Sequence, residues 1–454
     1  MPTVSSGLTF TSDDPVLCAG FAWAKSQALA YAFRGDPVGD WYEAALPGRA
    51  AFCMRDVSHQ ATGAHLLGLA SANLNMLRRF AASIAIQRDW CCYWEIDKRG
   101  LPCPVDYRDD QYFWYNFPAN FDVLDCCLRQ YLWSGDRAYL DDPALRFFYA
   151  KSVDEFVRAW DHDGDGLLEH YPSYGFRGIA SYEEGIPDLW LGGDLLAAQA
   201  AGYRAYASIL ELEERQPDAS VFIAKARAIQ DQLDGPWWDE EQGCLYAYRD
   251  QAHAFVSDSH ASATQTALYF GTIQDEPRLK RALDNLERME GTMGVEGRSY
   301  TPEILYRYQR IPAAYRSLQS LFDPGLPRRE YPELSYALIG ALGTGMLGLQ
   351  PDARERVVAT LPRLAPQTAW AEMSGIPVFE TGITLRHEGL SETRLTARPG
   401  RPFYWRAAFP GSFDTLQVDG RAWPAAQEQK PGGQIVSSVL LRVAGGESHT
   451  VKHR

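Results

Sequence analysis

The chain has 454 residues and a formal net charge of −14, which excludes nucleic acid as a partner because a phosphate backbone demands clustered Lys and Arg. Hydrophobic residues at 46% and charged residues at 22% are ordinary globular proportions, and the length suits one large domain with a small companion. No apolar run of about 18 residues occurs, so no membrane span is expected. The N-terminal MPTVSSGLTFTSDDP lacks the basic start and apolar core of a leader. That places the protein in the cytoplasm, or in the periplasm or outside the cell if a leader has been removed.

From about residue 14 to about residue 365 the pattern is helical. The first helix is predicted over 15–33. A long one over 61–86 carries Leu66, Leu69, Leu74, Leu77 and Phe80 on a broad apolar face. Another covers 119–133, after which Gly135 can close it and Asp136 can cap its successor. Helices over 143–160, 188–212, 219–233, 261–269, 278–289, 332–349 and 352–361 continue the series. Tight connections alternate with long, aromatic, charged ones at 89–118 and 161–187. Such alternation predicts a ring of helical hairpins with function gathered at the long-loop end. After residue 383 short alternating runs separated by Pro-Gly and Asp-Gly turns predict strands. The expected fold class is therefore mainly α, with domain 1–382 helical and 383–454 a small antiparallel β domain.

Eight cysteines include no CxxC pair, and the neighbours Cys91-Cys92 and Cys126-Cys127 are poorly spaced to hold one metal. They read as reduced, buried thiols. Aromatics reach 13%, and the loop from Trp90 through Trp94, Trp114 and Phe117 mixes rings with Asp106, Asp109, Asp110 and Asn116. That mixture suits a sugar ring, which needs an apolar platform beside polar acceptors. It equally suits a buried plug.

Several polar clusters stand out. Arg55-Asp56-Val57-Ser58-His59 precedes a long helix, where it serves as a cap, a pocket rim, or both. Asp161-His162-Asp163-Gly164-Asp165-Gly166 matches the first half of a calcium loop, yet position twelve is Pro172 where a bidentate Glu is required. A tight turn is the favoured reading, so no cofactor or metal is expected and Ca2+ at Asp161, Asp163 and Asp165 is the lesser alternative. Tyr182-Glu183-Glu184-Gly185 and Trp370-Ala371-Glu372 each set a carboxylate against an aromatic ring, as a general acid or base of raised pKa requires. Glu330, Tyr331 and Glu333 open a helix, where acidic groups also complement the dipole.

Four motifs together resemble the six-hairpin, (α/α)6-barrel glycoside hydrolases: the processing α-glucosidases, trehalases, glucoamylases and α-L-rhamnosidases. They are Arg55-Asp56 before a helix; DGDGLLE at 163–169; Tyr182-Glu183 followed by a Gly192-Gly193 helix start; and EYPELSYALIGAL at 330–342 followed by WAEMSGIPVFETG at 370–382. The resemblance implies an (α/α)6 toroid and an inverting, exo-acting glycosidase. Glu183 would be the acid, with Glu184 as its substitute, and Glu372 the base. Arg55, Asp56, Trp94, Trp114, Tyr182, Glu330 and Tyr331 would bind an oligosaccharide or glycoside. An unsaturated-uronyl hydrolase using Arg55 and Arg177, a polysaccharide lyase using His59 and Tyr182, and a non-catalytic glycan-binding protein remain the alternatives.

Overall fold

The computed structural model describes residues 4–259, 261–430 and 432–453. Its helices make contacts in a regular succession. Pro332–Gly340 packs on Met54–Leu66, which packs on Pro118–Ser134, which packs on Gly193–Leu212. Ser262–Phe270 follows, then Val295–Arg307, which packs back on Pro332–Gly340. Each of these six also carries a partner helix on its other side: Pro15–Ala30, Ala70–Ser83, Pro143–Val153, Gln216–Leu233, Glu276–Met289 and Ile311–Phe322.

The six central helices are buried on nearly all faces, which their sequences permit. Gly193–Leu212 is rich in Ala and Leu and buries Leu195, Ala198, Ala201 and Ile209 among others. Small residues let neighbours approach closely. A Cβ on Gly63 would lie 2.0 Å from the Tyr336 carbonyl oxygen, and one on Gly202 would lie 2.8 Å from the Phe121 side chain. The outer Glu276–Met289 instead has one buried stripe, Leu279, Ala282, Leu283 and Leu286, the pattern of a half-exposed helix.

The structure corrects several sequence expectations. The helix foreseen over 61–86 is two, Met54–Leu66 and Ala70–Ser83, broken at Gly68, whose φ of +84° a helix does not accommodate. Residues 352–361 form strands rather than a helix. The β region begins at Gln350, and strand Trp370–Val378 pairs with Thr381–Glu388. The division foreseen at 382/383 therefore cuts a strand. A seven-stranded sheet runs, in spatial order, Thr9–Ser12, Trp370–Val378, Thr381–Glu388, Glu392–Ala397, Ser448–Lys452, Thr415–Val418, Arg421–Pro424. The N-terminal strand thus belongs to it. A five-stranded sheet centres on Phe403–Pro410 and Ile435–Val443.

These sheets sit at the C-terminal ends of the central helices. Trp133, at the end of Pro118–Ser134, donates its indole N–H to the Pro377 carbonyl (2.9 Å), and its own carbonyl accepts from Phe379 N (3.1 Å). His387 contacts the Leu347 carbonyl at 3.0 Å. The opposite end of the helices is left to the long loops.

Candidate active site at the N-terminal ends of six helices

All six central helices contribute polar groups from their first or second turn to one place. Met54–Leu66 supplies Arg55, Asp56 and His59; Pro118–Ser134 supplies Asp122; Gly193–Leu212 supplies Asp194. Ser262–Phe270 supplies Gln265; Val295–Arg307 supplies Glu296 and Tyr300; Pro332–Gly340 supplies Glu333. Arg55, Asp122, Asp194, Gln265, Glu296 and Tyr300 line a cavity of about 160 Å³, together with Tyr182 and Glu183 from the loop that precedes Gly193–Leu212.

Glu183 is held there by a chain of hydrogen bonds. Asp194 accepts from Tyr182 N (2.6 Å), Ser181 Oγ (3.0 Å) and Leu195 N (2.8 Å), and Ser181 Oγ in turn accepts from Glu183 N (2.8 Å). The close approach explains Gly192: a Cβ there would stand 2.4 Å from an Asp194 carboxylate oxygen. Tyr182 donates its hydroxyl to Asp122 (3.0 Å) and lies beneath the Arg55 guanidinium, 5.5 Å from ring centre. Glu296 stands in the first turn of its helix and pairs with Arg328 at 2.6 Å. In the order of contacts its helix is three places from the Asp122 helix, the far side of the ring.

The electrostatics are dominated by burial. Desolvation pushes the carboxyls of Asp122 and Asp194 up to about 7, against Arg129 near the first and the Tyr182 amide at the second. Asp56 and Glu333 are likewise raised to about 7 by burial, with Arg55 opposing both. Six helix N-termini favour negative charge by about 0.3–1 kcal/mol each at exposed positions. Each carboxyl meets mainly its own helix end, and all four move upward on balance, so burial wins and these carboxyls are poised near neutrality.

Beneath the cavity lies a structural layer. Asp56 is no cap; it accepts from the Tyr331 hydroxyl (2.9 Å) and from Cys53 Sγ, and lies 3.9 Å from Arg55. His59 Nδ1 meets Glu333 at 2.6 Å, and its ring stacks on Tyr300 at 3.4 Å. Burial drives this imidazole down to about 3, which leaves it neutral.

Other expected site residues are elsewhere. Glu372 lies on strand Trp370–Val378, opposite Thr11 and Arg386, with its side chain 3.9 Å from Arg386. Its neighbours Ala371 and Met373 point into the core, so Glu372 faces outward. The strand meets Pro118–Ser134 at Trp133, whereas Asp122 is eleven residues nearer its start, about 16 Å along the axis. Glu372 is therefore at the wrong end to share a substrate with Glu183. Glu184 is exposed and does not line the cavity. Trp94 is buried against Tyr115, and Trp114 stacks on Phe176 at 4.7 Å along an outer depression. Glu330 is exposed and offers only its carbonyl, to Tyr31. A cleft of about 810 Å³ lined by Arg307, Arg363 and Arg406 collects none of the expected residues.

No family model and no curated protein matches this chain. Solved structures do share its fold. The Streptomyces avermitilis α-L-rhamnosidase complexed with L-rhamnose superposes with a TM-score of 0.62 at 14% identity, over 100% of this chain and 43% of that one. The α-L-rhamnosidase from Dictyoglumus thermophilum gives 0.62 at 12%, over 99% and 51%. A glycosidase variant in complex with glucose gives 0.53 at 13%, over 73% and 96%. The chain spans about half, or less, of those rhamnosidases. Its fold is that of glycoside hydrolases.

Proposed function

We propose that this protein is an exo-acting, inverting glycoside hydrolase built on an (α/α)6 toroid, with the N-terminal ends of the inner helices forming the mouth of its site. Glu183 acts as general acid and protonates the glycosidic oxygen. Glu296 takes the general-base role expected of Glu372 and activates a water on the opposite face of the sugar. The observation that carries this reading is that both glutamates line one small cavity at the N-terminal ends of the inner helices. An inverting pair requires carboxyl groups about 6.5–9.5 Å apart to admit the water.

The cavity is smaller than the roughly 300 Å³ from which ligand clefts usually start, which favours a single terminal ring. Its charge favours a neutral sugar. Among the described residues Arg55 is the one cation lining it, beside Asp122, Glu183, Asp194 and Glu296, and Arg55 is already engaged with Asp56. A uronide carboxylate would face acidic walls and an Arg55 already engaged, which argues against an unsaturated-uronyl hydrolase. Lyase chemistry would need an accessible base, and His59 is buried, stacked on Tyr300, bonded to Glu333 and absent from the cavity lining. Asp194 is a positioning residue, since it reaches the Tyr182–Glu183 step through hydrogen bonds.

The test is proton NMR of the first-formed product from a panel of aryl rhamnosides, glucosides, mannosides and glucuronides. One class should turn over with the anomer opposite to the substrate's. Retention of configuration, or unsaturated products, would overturn the mechanism.

A further inference from the structure

We propose that the loop Asp161–Glu169 binds one Ca2+ ion, outside the sugar cavity, through Asp161, Asp163, Asp165 and Glu169. One oxygen of each of these four residues lies within 4.8 Å of all the others. Calcium holds oxygens at about 2.3–2.6 Å, so ligands on opposite sides of an ion are separated by at most about 5 Å. The cluster has those dimensions.

A group of acidic side chains at a turn needs further support, and Glu169 supplies it. This carboxylate is fully buried. One oxygen accepts from His162 N at 2.8 Å, and the other, Oε1, has no partner. A buried carboxyl oxygen left without a partner costs about 1–3 kcal/mol. Among the described residues, no Lys, Arg or His forms an ion pair with any of the four carboxylates. Four acidic groups thus converge without a direct ion pair among the described residues, one of them away from water.

The twelfth position of the loop is Pro172, where an EF-hand has a bidentate Glu. The fold supplies a substitute at position nine, because Glu169 N donates to the Trp160 carbonyl at 3.0 Å and brings the chain back across the loop. Water would complete the six to eight oxygens that calcium takes. Helix Gly193–Leu212 holds the same loop through Gln199, whose amide donates to the Gly166 carbonyl at 2.7 Å. The ion would therefore pin the base of the segment that ends in Tyr182 and Glu183. Its role is structural, and the binding claim is independent of the reaction.

Trp160 adjoins the site in sequence and serves as an antenna for terbium. Full-length protein treated with chelator and titrated with TbCl3 should show one saturable, tryptophan-sensitised emission. CaCl2 should displace it with a Kd below about 1 mM, while MgCl2 at the same concentration should not. Calcium should also raise the melting temperature. Asp163→Asn and Asp165→Asn, both at exposed positions that leave folding intact, should each weaken binding at least ~10-fold, and Glu169→Gln should abolish it. Absence of saturable binding with an unmoved melting temperature, equal displacement by Mg2+, or wild-type affinity in the Asp163→Asn and Asp165→Asn proteins would overturn the proposal.

Discussion

Asp194→Asn probes the link between the fold and the proposed acid. The wild-type carboxylate satisfies three donors at 2.6, 2.8 and 3.0 Å. An amide keeps one oxygen for Tyr182 N and Ser181 Oγ but turns its NH2 toward Leu195 N, so one buried donor loses its acceptor. That costs about 1–3 kcal/mol of stability. The same change loosens the Ser181–Glu183 step, and a shift of the acid by about 1 Å costs on the order of 10²-fold in kcat. KM should change less than kcat, because Asp194 acts mainly through its hold on the Tyr182–Glu183 step. The pH dependence has a definite sign. Burial raises the Asp194 carboxyl to about 7 from 3.8. The wild-type side chain therefore stabilises the fold fully when protonated, below about pH 4, and that contribution is lost as pH rises through 7. Asn does not titrate. The melting-temperature deficit of the variant should thus be larger at pH 5 than at pH 8. Thermal melts at both pH values, with steady-state kinetics, test this. A variant with wild-type kcat, or a deficit that grows with pH, would refute the reasoning.

Asp56, Asp122 and Glu333 share the upward shift to about 7 caused by burial, so the wild-type melting temperature should fall between pH 5 and pH 8, and a rise over that range would contradict it. Tyr331→Phe removes the hydroxyl that serves Asp56; it should lower stability by about 1–3 kcal/mol in denaturant titrations and leave kcat within about tenfold. Gly63→Ala would press a Cβ to 2.0 Å from the Tyr336 carbonyl oxygen, and the resulting backbone shift should cost more than about 3 kcal/mol, read as loss of soluble folded protein.

The helical character of the chain is legible because most of its helices carry long apolar faces with ordinary punctuation. Val295–Arg307 was missed because Pro302 lies inside it and Gly294 and Gly297 flank its start, all weak helix signals. Glu296 went with it, since an acidic residue in a first turn reads as a dipole partner. The Tyr182–Gly185 step stands out in the sequence because an aromatic ring and a glycine bracket its two glutamates. Glu372 carries similar signals for a different reason. Gly375 sits where the pairing of Trp370–Val378 shifts register, and that irregularity hides the alternation of a strand. Asp122 and Asp194 have no local signature, because their environment is made by helices distant in sequence.

The central claim is that the reacting carboxyls are those gathered at the helix N-termini. The most direct measurement compares Glu183→Gln, Glu296→Gln and Glu372→Gln, each shown by circular dichroism to be folded, on the glycoside that the wild-type protein hydrolyses. The account predicts that the first two lose about 10²–10⁴-fold or more in kcat while Glu372→Gln, outside the cavity on its strand, stays within a fewfold of wild type. An inactive Glu372→Gln beside a fully active Glu296→Gln would contradict it.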